Sequence, residues 1–361
     1  MRVGKINIGV VGAGYIANFA HLPPLSRLRE ANLIAICDQD ITKAKMVAEE
    51  FSIPKVYSSL EEMLSSEHFD LVDVCLPPQE HSNALVKILE HGINCLVEKP
   101  LTVTTDDADA VISLAQQNKL NLYVIHNYSV IPAVLRAKKL VAKGAIGEIE
   151  GLHINHFVLP HLRYLEPKHW CHELHGKYFS DLAPHLAMLL VECLGPVNSV
   201  DAVASKLSTD SPLRFDELHI TAHTPKALGT ITCSLNCPSF IFTMYIIGTK
   251  GAIHLSGDYH AVVHYRPTGH YLSAWSRGMV GVRDIITRTS ALIRTSAGVL
   301  TGRYTPLTQG HRYLIQHCLW ALQGKGSYPI DTFNAREAVR LLEMAFQQIG
   351  AHNSNENSLS I

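Results

Sequence analysis

The residues whose types and spacing could do chemistry begin near the N-terminus, where Gly12, Gly14 and Ala17 follow the apolar run 6–11. Gly-x-Gly-x-x-Ala between a strand and a helix can hold a pyrophosphate. Gly12 permits the tight turn, Gly14 lets the phosphates approach the backbone, and Ala17 lets the helix pack closely. The helix then presents unpaired N–H groups and its positive dipole end, with Tyr15 and Ile16 on the turn itself. Asp38 ends the next apolar run, 32–37, and could accept both hydroxyls of an adenosine ribose. A carboxylate there repels a 2'-phosphate and no arginine follows it closely, so the pattern favours NAD over NADP. Lys43, the nearest base, reads as a solvated helix residue. The plain alternative is a turn that needs glycine only for its dihedrals.

The elements that must position these groups are legible as periodicity. Runs 6–11, 32–37, 71–76, 93–97 and 122–125 are almost wholly apolar, and 15–28, 41–51, 81–90 and 106–117 between them have helical period. Fully apolar strands alternating with helices predict a doubly wound parallel sheet, a Rossmann domain over residues 1–127. After a helix at 132–142 the grammar changes. Strands are expected at 149–158, 197–205, 217–223, 228–235, 240–247 and 261–265, interrupted by one helix at 181–194. This predicts an α+β substrate and oligomerisation domain over 128–350, with an open, mostly antiparallel sheet. Helices at 310–323 and 334–349 close it, and the polar stretch 351–361 reads as a disordered tail.

Composition narrows the function. In 361 residues, 31 Lys plus Arg balance 32 Asp plus Glu. No global field therefore draws the chain to nucleic acid. Eight scattered cysteines suit reduced core thiols, and Cys233 and Cys237 are too far apart for a CxxC pair. No cysteine and histidine spacing completes a zinc site, so no metal is expected. The first residues lack a signal-peptide pattern, and no uncharged apolar run approaches the roughly 18 residues of a membrane span. A cytoplasmic chain is the expectation.

Further motifs follow in order: "CLPPQEH" from Cys75, "GINCLVEKPLTVT" from Gly92, "GAIGEI" from Gly144, "FSDLAPHLAMLL" around Asp181 and His185, and "GTKGAIHL" from Gly248. Together they resemble the Gfo/Idh/MocA oxidoreductases, named for glucose-fructose oxidoreductase, inositol dehydrogenase and rhizopine catabolism. The resemblance runs from about residue 5 to 255 and resumes weakly in the last two helices. Glu98-Lys99-Pro100 is its most specific element. It implies an NAD(P)-binding Rossmann domain and a mixed sheet whose open face meets the cofactor. It also implies that Lys99, Asp181 and His185 meet the reacting carbinol. Leu76, Pro77, His81, Glu98 and Lys99 itself would lie near the cofactor, though Leu76 replaces the family's usual threonine. Asn127 and Tyr128 stand where relatives have Asn-x-Arg, with Ser129 in place of the arginine. His175 to Lys177 replace three glycines, and Met188 replaces a second acid.

The residue types agree with that chemistry. Oxidising a secondary alcohol requires loss of the hydroxyl proton, which suits His185, while Lys99 can stabilise charge developing on the oxygen. Asp181, four residues before His185, shares its helix face. It could orient the imidazole or bind a neighbouring hydroxyl. Taken singly, these are also an ordinary surface lysine, a helix cap and a half-buried histidine. The segment around His169, Trp170 and His175 is dense in imidazole and aromatic groups suited to a sugar. Between residues 266 and 312, seven arginines accompany one acid, Asp284. If 282–300 is helical, Val282, Ile286 and Ile293 share one face and Arg283 and Arg294 another. An ordinary packed helix is the first reading, an anionic or nucleotide-linked substrate the second, and peripheral membrane contact through 277–300 the third. The expected protein is an NAD-dependent oxidoreductase acting on a sugar, cyclitol or nucleotide-sugar, as a homodimer or homotetramer. An NAD-dependent glycosidase and a non-catalytic NAD/sugar-sensing regulator are the alternatives.

Overall fold

β1 (Ile6–Val11) lies at the centre of a six-stranded sheet because both its faces are apolar and buried. The sheet is wholly parallel, in the order β3-β2-β1-β4-β5-β6, with β2 Ala31–Cys37, β3 Lys55–Tyr57, β4 Leu71–Val74, β5 Asn94–Glu98 and β6 Leu122–Ile125. The order reverses at β1 and β4, which opens a crevice at their carboxyl ends. Among the connecting helices are α1 (Leu22–Leu25), α2 (Ile41–Phe51), α3 (Leu60–Ser66), α4 (Pro78–Glu90) and α5 (Thr105–Gln117). The helix expected at 15–28 ends at Leu25, and its middle, Ala17–His21, winds as a π-turn.

This computed structural model describes residues 4–166, 168–209, 213–257, 260–265, 274–300 and 308–356. The chain divides into two compact units, Met1–Asn127 with Leu307–Val339, and Tyr128–Pro306 with Arg340–Ile361. The sequence pattern predicts all of 128–350 in the second domain. In the structure α9 (Gln309–Leu322) and the first turns of α10 (Thr332–Glu356) pack with the first unit. Ala335 and Val339 join its apolar core, the Tyr328 hydroxyl donates to the Val124 carbonyl at 2.8 Å, and Thr332 donates to Leu122 at 3.0 Å. Helical periodicity identifies an apolar face without naming the sheet it covers.

The second unit is built on seven strands in the order β13-β12-β11-β7-β10-β9-β8. These are β7 Ile149–Phe157, β8 Ser199–Ser205, β9 Glu217–His223, β10 Leu228–Ser234, β11 Ile241–Gly248, β12 Gly251–Ser256 and β13 Ala261–Tyr265. All neighbours are antiparallel except β7 and β10. α7 (Phe179–Leu194) covers one face of this sheet over β7 and β10, where a Cβ on Gly229 would come within 2.8 Å of Leu190. α6 (Pro132–Ala142) and α8 (Ala274–Leu300) complete the labelled helices. Of the stretch 351–361 read as a tail, 351–356 continue α10 to Glu356, and 357–361 fall outside the described residues.

Candidate functional site

The glycine turn is the first part of the site. Gly12 has φ +95°, and a Cβ there would stand 2.5 Å from the Cys75 carbonyl oxygen, so conformation and packing both demand glycine. Gly12→Ala is therefore expected to lower unfolding stability by about 1–3 kcal/mol, read as a lower urea midpoint with unchanged slope. Gly14 differs. It has no positive φ, and a Cβ would meet nothing within 4 Å. Neither strain nor packing explains the glycine, whereas an open backbone beside the helix start fits an approaching pyrophosphate. Ala17 is fully buried under the helix, and Tyr15 is exposed, its ring stacked on Phe19 at 5.2 Å.

Asp38 sits just beyond β2 and closes this turn. One carboxylate oxygen accepts the Ala13 N–H at 2.7 Å and the other the Asp40 N–H at 2.9 Å. Lys43 is 4.0 Å away and half exposed. The carboxylate is only partly buried and retains lone pairs for ribose hydroxyls. The donor set fits a dinucleotide with an unphosphorylated ribose.

His81, fully buried on α4, lies with one ring nitrogen 2.9 Å from the Leu76 carbonyl and the other 2.8 Å from the Pro100 carbonyl. Burial lowers its pKa, the two carbonyls opposing. The ring thus ties the turn at Leu76 and Pro77 to the segment carrying Lys99. Glu98 ends β5 with its carboxylate turned into the protein, where Oε1 accepts from His21 at 2.8 Å and His311 at 3.1 Å. Its Oε2 accepts the Lys99 N–H at 3.2 Å. Burial opposes the charge on Glu98, but the hydrogen bonds from His21 and His311 outweigh it and hold its pKa well below the usual range. Asn127, also in this unit, places its amide nitrogen 3.5 Å from His311 Nδ1. A Cβ on Gly310 would lie 2.5 Å from the Asn127 carbonyl oxygen, so glycine lets α9 bring His311 in.

In the second unit Asp181 and His185 stand one turn apart on α7, both half-buried, with Pro184 between them. The His185 ring stacks on Tyr128, centroids 4.3 Å apart and planes 17° from parallel. On the other side of the Tyr128 hydroxyl, His156 Nε2 is 3.0 Å away. Burial pushes His156 down to about 4, so it is neutral near pH 7. Asp181 accepts a 2.5 Å hydrogen bond from the Tyr164 hydroxyl.

Sequence reasoning missed Tyr164 and His156. The alternation of β7, which buries Leu152, Ile154 and His156, was the available signal for the latter. His169 caps the short turn Trp170–Glu173 by accepting the Cys171 N–H at 3.3 Å, and its ring lies 4.6 Å from Tyr164 and 5.0 Å from Trp170. His175 is exposed.

The arginine-rich stretch is helical over α8, as expected for 282–300. Arg288 bonds Asp284 at 2.8 Å and His254 at 2.9 Å, which assigns the stretch's one acid a local partner. Val282, Ile286 and Ile293 share an exposed stripe rather than packing on the sheet. Arg266 and Arg303 lie outside the described residues. No helix among the described residues is long and apolar enough to cross a membrane.

An alternating strand and helix domain with an open glycine turn, followed by a mixed-sheet domain with an acid and a histidine on its covering helix, defines a dinucleotide-dependent oxidoreductase architecture. Residues 6–126 match the oxidoreductase family's NAD-binding Rossmann domain and residues 134–254 match the GFO/IDH/MocA C-terminal domain. The chain belongs to the Gfo/Idh/MocA oxidoreductase family, and its first unit carries the family's NAD-binding domain. An uncharacterized protein of Saccharomyces cerevisiae is 29% identical over 217 residues, 57% of this chain and 60% of the relative. An inositol 2-dehydrogenase of Corynebacterium glutamicum is 30% identical over 159 residues, 43% of this chain and 46% of the enzyme. The chain thus spans about half to three-fifths of these two relatives. In fold it is similar to the WlbA dehydrogenase of Bordetella pertussis, solved with NADH and UDP-GlcNAcA, at TM-score 0.77 and 19% identity over 97% of this chain and 96% of that one.

Proposed function

We propose that the protein transfers hydride between NAD and a secondary hydroxyl or keto group of a sugar, cyclitol or nucleotide-sugar. The observation that carries the reading is the pairing on α7: an imidazole held against Tyr128, one turn from a carboxylate bonded to Tyr164. A proton acceptor beside a hydroxyl-binding carboxylate is what a polyol substrate requires. NAD, bound at the Gly12 to Ala17 turn with its ribose on Asp38, supplies the hydride acceptor. His185 removes the hydroxyl proton, Lys99 donates a hydrogen bond to the oxygen as charge develops, and Asp181 holds a neighbouring hydroxyl. In the reducing direction the same groups return the proton.

Calorimetric titration with NAD(H) and NADP(H), followed by a sugar and nucleotide-sugar screen at the NADH absorbance, tests this reading. NAD preference with a substrate-dependent signal supports it. Dinucleotide binding with no signal from any polyol overturns the dehydrogenase assignment. Asp38→Ala is expected to weaken NAD binding about 10–100-fold, the range for hydrogen bonds to a charged acceptor, and to narrow the gap to NADP. An unchanged NAD affinity removes Asp38 as the ribose partner.

A further inference from the structure

The first unit holds a buried polar chain that the proposed chemistry does not itself use. His21, fully buried on the π-turn, places Nδ1 2.8 Å from Asp73 Oδ2 and Nε2 2.8 Å from Glu98 Oε1. Both neighbours are carboxylates, which only accept, so a ring bonded to both must carry two protons. His311 reaches the same Glu98 oxygen at 3.1 Å through Nε2, and its Nδ1 faces the Asn127 amide at 3.5 Å. That geometry suits a ring donating from Nε2 and accepting at Nδ1. Asp73, Glu98 and His311 are all at most 5% exposed. Four ionisable groups are thus withdrawn from water in one place, an arrangement that persists only when every partner is supplied.

Two carboxylates without a cation would be expensive there, and the His21 imidazolium answers them. Burial works against its charge, but the Asp73 carboxylate outweighs it and holds the His21 pKa well above its ordinary value. The outlet of the chain lies at Glu98, whose remaining oxygen accepts the Lys99 N–H at 3.2 Å. The carboxylate cannot rotate without breaking bonds to two rings.

We propose that His21 and His311 are positioning residues, clamping the Glu98 carboxylate and through it the Lys99 main chain. They touch neither substrate nor cofactor in this assignment, which rests on the hydride-transfer reading only in naming Lys99 as the group that benefits. His311 additionally orients the Asn127 side chain.

His21, Glu98 and His311 offer ligand atoms within 4.8 Å of one another, as do His21, Asp73 and Cys75, so the test must separate hydrogen bonds from cation ligation. On the wild-type protein, ring 15N shifts are expected to show His21 doubly protonated at pH 7 and His311 carrying a proton on Nε2, and elemental analysis is expected to find no stoichiometric metal. A neutral His21, or one metal per chain at these nitrogens, overturns the proposal. In variants, His311→Phe keeps a ring but removes the donor, and His311→Gln restores an N–H. His311→Phe is expected to lower kcat at least tenfold with KM within about twofold, and to speed exchange of the Lys99 amide hydrogen at least tenfold. His311→Gln is expected to recover most of both. If His311→Phe leaves Lys99 exchange and kcat within twofold of wild type, His311 positions nothing. The 15N and exchange readouts need no substrate, so a failure to find one sinks the dehydrogenase reading while the clamp is still decided.

Discussion

Replacing Lys99 by alanine is expected to lower kcat by about 10²–10³, the usual loss when one donor to a developing oxyanion is removed, while NAD binding changes little. The separation is the informative part. The parts assigned to the dinucleotide, Gly12, Gly14 and Asp38, lie at the ends of β1 and β2, whereas Lys99 follows β5. Binding measured by calorimetry should therefore survive a substitution that removes turnover. Lys99→Arg is expected to rescue poorly despite keeping the charge, because a planar guanidinium cannot place a single donor where a compact ammonium does. The measurement is steady-state turnover on the substrate found by screening, with NAD saturating. Full activity in Lys99→Ala would remove Lys99 from the mechanism.

How much of this was legible in the sequence varies with the distance over which each feature is encoded. The Rossmann unit could be read because a parallel sheet covered on both faces needs strands that are almost wholly apolar, and β1, β4 and β6 are such strands, broken only by Asn7 in β1 and Asp73 in β4. β3 was missed because it is three residues long at the sheet edge, and its first residue is an exposed lysine. β12 escaped because only Thr249 and Lys250 separate β11 from β12, and the stretch read as a motif rather than as a hairpin. The glycine turn and Asp38 form a local pattern, and Asp181 and His185 a helical one, so both could be found by spacing.

The clamp on Glu98 could not. His21 meets Glu98 across 77 positions and His311 across 213, and no periodicity links them. A buried histidine also reads like any satisfied core residue until its partners are seen. The same holds for Tyr164, which reaches Asp181 from the short 3-10 turn Leu162–Leu165, in a segment whose composition suggested substrate contact without specifying which ring would bond the acid. Local chemistry was visible, and the long-range hydrogen bonds that orient it were not.

His185→Ala carries the other large expected effect, a fall in kcat of about 10²–10⁴, the range for losing a positioned general base. Three observations make it separable from a folding defect. His185 is half-buried rather than core, its ring stacks on Tyr128, and the helix that bears it is anchored by Leu186, Ala187, Leu189 and Leu190, all fully buried. Loss of one stacked pair costs about 0.5–1.5 kcal/mol, too little to unfold a unit of this size. If His185 is the base, the variant should also lose the rise of kcat/KM with pH on its acidic side, since no group remains to be deprotonated there. Tyr128→Phe is the companion variant: it keeps the stacked ring, breaks the 3.0 Å contact with His156, and leaves the imidazole in place. It should retain the pH profile with a loss of at most about tenfold, the scale of one neutral hydrogen bond. Should His185→Ala keep the acidic limb of the profile, the proton goes elsewhere, and Asp181, with Tyr164 bonded to it, becomes the acceptor to test.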